Sequence, residues 1–160
     1  MEKIGSVISV GTKGICEVLD IRENAFDGAA KGKLYYILKP IDSSNNMMVY
    51  LPVDTSLKIR KLVSKTSAKD IIENFAKAED ISVPAENERI KIYDAVAKSG
   101  DINDWARLLK TLMQRREKLS KKQISGLEQK IFASVQNNVL LELATVLEKS
   151  KEEIEEELAL

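Results

Sequence analysis

Within residues 107–122, Arg107, Lys110, Arg115, Arg116, Lys118, Lys121 and Lys122 stand against a single carboxylate, Glu117. The chemistry such a run could do is phosphate binding, in which each Lys or Arg contact releases counterions and makes affinity salt-dependent. The same cations also suit the last turns of a helix, where positive charge meets the negative end of the macrodipole. Charge pattern supports the two readings equally. Two other residues that could make contacts, Arg22 and Tyr50, lie on strand-like segments. Alternation sets Met48, Tyr50 and Pro52 on one side and Met47, Val49 and Leu51 on the other. Tyr50 suits either a docking face or interior packing. An exposed apolar patch beside an open strand edge would favour docking by strand addition.

Catalytic chemistry finds little support. The chain has no histidine, which removes the commonest general base and metal ligand. Cys16 is the only cysteine, so no internal disulfide or cysteine-based metal site can form. It sits in GICEVLDI and reads as a small buried strand residue. Carboxylates are plentiful, but they fall at salt-bridge spacings on helical segments, as solvated faces do. No nucleotide-binding glycine motif and no Ser-His-Asp set is present. The expectation is a non-enzyme with no cofactor, no metal and no small-molecule substrate.

The elements that position these residues change character near residue 63. Before it, short runs of strand type are closed by turns: SVISV (6–10), ICEVLDI (15–21), LYYIL (34–38), MMVYLPV (47–53) and LKIRKLV (57–63). The connections are Gly11-Thr12-Lys13-Gly14, then Phe26-Asp27-Gly28 with Lys31-Gly32, then Ser43-Ser44-Asn45-Asn46. Five strands in so short a stretch suggest a small antiparallel barrel, because closure removes exposed edges. After residue 63, apolar residues recur at helical spacing. Ser67-x-x-Asp70 reads as a capping box for a helix over 68–77. The next helix spans 85–98 and ends at Gly100. Asp101 caps a helix over 102–117, Ser120-x-x-Gln123 caps a long one continuing to Leu147, and Ser150 caps a short acidic one. In the long helix the core stripe is read as Ile124, Leu127, Ile131, Val135, Val139, Leu143 and Val146. Trp105 falls in a stripe with Ile102, Leu108, Leu109 and Leu112, which marks a core face.

Total charge gives no direction, since Lys plus Arg equals Asp plus Glu at 25 each. The opening MEKIGSVISV lacks a basic flank with a long apolar stretch, and no run approaches a membrane span. A cytoplasmic protein without membrane contact is expected.

IGSVISVGTKGICEVLDIRE, YYILKPI, MMVYLPVD and LKIRKLVS, in that order and spacing, resemble the N-terminal module of the CarD-like (CdnL) bacterial transcription regulators. The same module is the RNA-polymerase-interacting domain of transcription-repair coupling factors. Gly5, Gly14, Ile21, Tyr35 to Leu38, Leu51-Pro52 and Ile59-Arg60 carry the likeness, while Ser6, Val10-Gly11 and Lys13 depart from it. In the helical half, Ser99-Gly100-Asp101, Arg115-Arg116, Leu119-Ser120 and LLELATVL (140–147) are similar to family elements in the same order.

The resemblance implies an α+β chain of two domains. Residues 1–63 would be a Tudor/SH3-like barrel that docks on the RNA polymerase β subunit, and residues 64–160 a helical domain, with five helices between 67 and 158, that touches promoter DNA near the transcription bubble and modulates open-complex stability. The polymerase-contacting positions map to Arg22, Tyr50 and Pro52, with Tyr50 standing where the family has an arginine. The DNA-contacting positions are Arg89, Lys91, Lys121 and Lys122. Better-known members carry a tryptophan wedge early in the helix before Ser-Gly-Asp, and that place is Glu86 here. A carboxylate cannot replace a stacked indole and is repelled by phosphates. Any DNA contact is therefore expected to be weak and directed at the backbone. The competing class is an adaptor that binds proteins only.

Overall fold

Alternating apolar residues at the start of the chain build five antiparallel strands: β1 (Val7–Val10), β2 (Gly14–Glu23), β3 (Leu34–Pro40), β4 (Val49–Pro52) and β5 (Ile59–Lys61). The computed structural model describes residues 1–23, 25–43 and 46–159, with Thr12 and Lys121 described through their backbones alone. Ser44 and Asn45 of the expected third turn thus lie outside the described residues. The strand order is β4-β3-β2-β1-β5. Among the described residues, no pairing joins β4 to β5.

One face of this sheet carries its larger core, and Ala25, Tyr35 and Ile37 form a smaller buried cluster on the other. Ile8, Val10, Cys16, Val18, Tyr36, Leu38 and Leu51 are buried together, with Leu57 and Ile59 packed against them. Strict alternation would put Val18 and Asp20 on the same face, yet Val18 faces the core and Asp20 does not. A register shift between them absorbs Leu19: Val18 pairs with Leu38 and Asp20 with Ile37. Such a bulge bends the strand and raises its twist. It also returns Ile21, paired with the buried Tyr36, to the core face. Gly14 opens β2 at φ 81°, a conformation that a side chain would strain.

Helical periodicity then gives α1 (Lys65–Asn74), α2 (Arg89–Ala97), α3 (Ile102–Lys118), α4 (Gly126–Leu147) and α5 (Lys151–Leu158). Contacts divide the chain into two compact units, Met1–Leu62 and Val63–Leu160. Trp105 is fully buried within the helical unit, beside Tyr93, Leu108, Leu109, Val139, Leu143 and Ile154. Its Nε1–H donates to the Ala97 carbonyl at 2.9 Å, which satisfies the one polar atom an indole brings into a core. The stripe reading of Trp105 therefore holds.

Several caps follow the sequence and two do not. Asp101 caps α3, accepting from the N–H groups of Asn103 and Asp104, and Ser150 caps α5 through the Glu153 N–H. Gly100, at φ 75°, separates α2 from α3. α1 is capped by Ser64, which accepts from the Ser67 N–H, so it starts before the expected Ser67 box. Ser120 and Gln123 do bond, from the Ser120 N–H to Oε1 at 2.9 Å, but around a single 3-10 turn. The cap of α4 is Ser125, which accepts from the Glu128 N–H. Leu127 consequently leaves the core stripe and is 60 % exposed. The buried position of that first turn goes to Glu128, sealed by Arg115 at 2.8 Å. The helix expected over 85–98 begins as a 3-10 turn at Glu86–Glu88 before α2 proper. Among the described residues, no helix is long and apolar enough to cross a membrane.

Candidate partner and nucleic-acid surfaces

Cross-strand register brings three of the candidate residues onto one face. Arg22 pairs with Tyr35 and Tyr35 with Pro52, while Asp20, Ile37 and Tyr50 form the neighbouring row. Residues directly opposite, and those two apart along a strand, share a face. Arg22, Tyr50 and Pro52 therefore lie together, opposite the larger buried cluster and on the face where Ala25, Tyr35 and Ile37 form a smaller one. Phe26 joins them from the β2–β3 connection, with its ring 5.2 Å from both Tyr35 and Tyr50. Phe26 and Tyr50 remain about two-fifths exposed, at 39 % and 41 %, so this aromatic pair is a surface feature. Arg22 is exposed and 3.7 Å from Asp20. Phe26 was hidden in the sequence by its turn context; an aromatic beside Asp-Gly was the available signal.

β4 is an edge strand of this sheet. The Val53 N–H donates to the Leu34 carbonyl at 3.0 Å, so alternation turns the backbone groups of Tyr50 and Pro52 away from β3. Proline is tolerated there because the missing N–H faces outward. The edge offers the Tyr50 N–H and carbonyl beside exposed aromatic surface.

At the start of α2 the DNA-contact candidates meet a different fate. Arg89 donates from Nε to Glu86 Oε1 at 3.1 Å and from Nη2 to Oε2 at 2.5 Å. Its Nη1 donates to the hydroxyl of the buried Tyr93 at 3.0 Å. The Arg89 hydrogen bond holds the Glu86 carboxyl below its ordinary range, with the charge of Arg115 adding to the effect. Arg89 is pushed further up by the same bond. Glu86 thus neutralises a neighbouring cation. Lys91 is exposed two residues on.

The basic run on α3 is largely engaged within its own unit. Arg107 Nε donates to the Glu79 carbonyl at 3.2 Å, and Lys110 Nζ to the Ala78 carbonyl at 2.5 Å. Arg115 pairs with the buried Glu128, and Arg116 lies 4.2 Å above the Phe132 ring. Breaking a buried pair on one side leaves an uncompensated charge, so Arg115 is held structurally. Lys118 and Lys122 are exposed, and no ion pair engages them among the described residues. The side chain of Lys121 lies outside the described residues. Among the described residues, no contact joins Arg89, Lys91 and Lys122 to one another.

Comparison with curated proteins gives no match to the chain. The family model for the CarD C-terminal domain matches residues 70–159, from within α1 to just beyond the end of α5. The Ser-Gly-Asp break, the buried Trp105 stripe and the long α4 all fall inside that match. The chain belongs to the CarD family.

Proposed function

We propose that the chain is a non-enzymatic transcription regulator that docks on the RNA polymerase β subunit through residues 1–63 and touches promoter DNA, weakly, through residues 64–160, so modulating open-complex stability. The observation that carries the docking reading is the shared face of Arg22, Tyr50 and Pro52, with Phe26, beside the outward edge of β4. Exposed aromatic groups and an Arg are the composition of binding hot spots, and an open edge accepts an added strand. The bulge in β2 is in keeping with a sheet bent toward a Tudor-like barrel. Family membership supports the transcription setting, and a bacterial, cytoplasmic protein fits it.

Pull-down of purified polymerase β subunit by the full chain tests this reading. Tyr50→Ala and Phe26→Ala should each weaken retention without changing the circular dichroism spectrum. A second reading, an adaptor binding proteins alone, is favoured by the Glu86–Arg89 pair and by the internal partners of Arg107, Lys110, Arg115 and Arg116. Gel shifts at two salt concentrations separate the two. Salt-sensitive retardation supports the first, and none at low salt supports the second.

A further inference from the structure

A cleft of about 270 Å³ opens in the helical unit between residues 80–83, α2 and the last turns of α3. Arg89, Arg115 and Lys118 line it with the neutral side chain of Gln114, and Asp80 is its one carboxylate; the Thr111 hydroxyl there already donates to the Arg107 carbonyl. Asp80 sits at the rim with its side chain 65 % exposed, 4.0 Å from Lys110. The Arg115 charge is already shared with the buried Glu128 at 2.8 Å, whereas Lys118 is exposed and the carboxylate on Arg89 is the exposed Glu86.

Arg89 is the fixed element. Its side chain is 19 % exposed, and the fully buried Tyr93 accepts from Nη1. That anchor aims Nε and Nη2 together, the parallel fork that carboxylates and phosphates take bidentately. Glu86 now holds both donors, yet its side chain is 80 % exposed and it sits on a single 3-10 turn with no side-chain cap. It can leave without disturbing the core.

We propose that this cleft binds a phosphate group through Arg89 and Lys118, and that the Glu86 carboxylate is a resident competitor for the Arg89 fork. The inference rests on the DNA-contact reading where the phosphate is a nucleic-acid backbone group; a free phosphate would use the same donors. Phosphate enters as Glu86 swings out, so affinity is set by how tightly that carboxylate holds Arg89.

The test compares the full wild-type chain, Glu86→Gln, Glu86→Gln/Arg89→Ala and Glu86→Gln/Lys118→Ala. One probe is a fluorescent forked DNA and the other inorganic phosphate, the latter read through the Arg89 Nε–H resonance. Glu86→Gln should bind the DNA about tenfold more tightly than wild type at low salt, the scale of one added phosphate contact. Each double variant should lose that gain. Inorganic phosphate that shifts the Arg89 resonance and competes with DNA supports the site for any phosphate; DNA alone shifting it supports a backbone phosphate. An unchanged affinity in Glu86→Gln, or a gain that survives Arg89→Ala, overturns the proposal. If wild type binds DNA while neither probe moves the Arg89 resonance, the cleft is wrong and the DNA reading stands. If phosphate moves it but no variant binds DNA, the cleft stands and the DNA reading falls.

Discussion

Glu86 and Arg89 form a side-on ion pair across one turn, with two nitrogens of the guanidinium meeting two oxygens of the carboxylate at 3.1 and 2.5 Å. The residue expected at the place of the family's wedge is thereby an acidic one that engages the nearest cation. Replacing it changes two things at once, and they are separable. Glu86→Gln frees Arg89 only, whereas Glu86→Trp frees it and adds a ring that can stack.

On a closed duplex the two variants should therefore gain about equally. On a forked promoter Glu86→Trp should gain more, by about 1–3 kcal/mol for one stacked base. Fluorescence anisotropy against both DNAs measures this. Equal gains on fork and duplex would remove the wedge position from Glu86.

Trp105→Ala should cost about 3–5 kcal/mol of stability, the range for truncating a buried aromatic. The indole is fully buried, and its N–H bond to the Ala97 carbonyl is lost with it. Urea unfolding followed by circular dichroism gives the number. A Trp105→Ala protein that melts like wild type but loses promoter binding would make Trp105 a DNA contact instead of a core residue.

The helical half shows what was legible and what was not. Asp101 and Ser150 could be read because each cap is a local bond from one side chain to a backbone N–H two or three residues on. Ser64 and Ser125 were missed because other serines, Ser67 and Ser120, stand close by with acceptable partners. The choice between them is made by packing: α1 buries Ala68 and Ile71, and Arg115 draws Glu128 inward. The end of α4 at Glu148 carries no glycine. That residue adopts φ 55°, and the Lys149 N–H reaches back to the Ala144 carbonyl, a closure the sequence hides because Glu is a good helix former. Among the site residues, alternation alone placed Tyr50 and Pro52 together. Arg22 joined them only through the bulge at Leu19, and the Glu86–Arg89 pair, although three residues apart, depended on a turn of backbone that spacing does not specify.

Cys16 supplies a pH-dependent readout of the β unit. Burial, with a smaller push from Asp42, raises its thiol from the ordinary 9.0 to about 11. The native thiol therefore stays protonated where the unfolded one ionises. Its contribution to stability is present below pH 9 and is lost as pH rises through about 11. At pH 8 the native thiol should react with iodoacetamide far more slowly than in urea. Equal rates in the two conditions would show that Cys16 is open to solvent.

Retention of the purified RNA polymerase β subunit by the immobilised full chain, compared with Tyr50→Ala and Arg22→Ala, tests the central claim most directly. Both side chains are more than two-fifths exposed, so neither change should alter the thermal midpoint appreciably. The account predicts that wild type retains the β subunit and that both variants lose most of it while melting normally. Failure of the wild-type chain to retain the β subunit, or full retention by both variants, would contradict it.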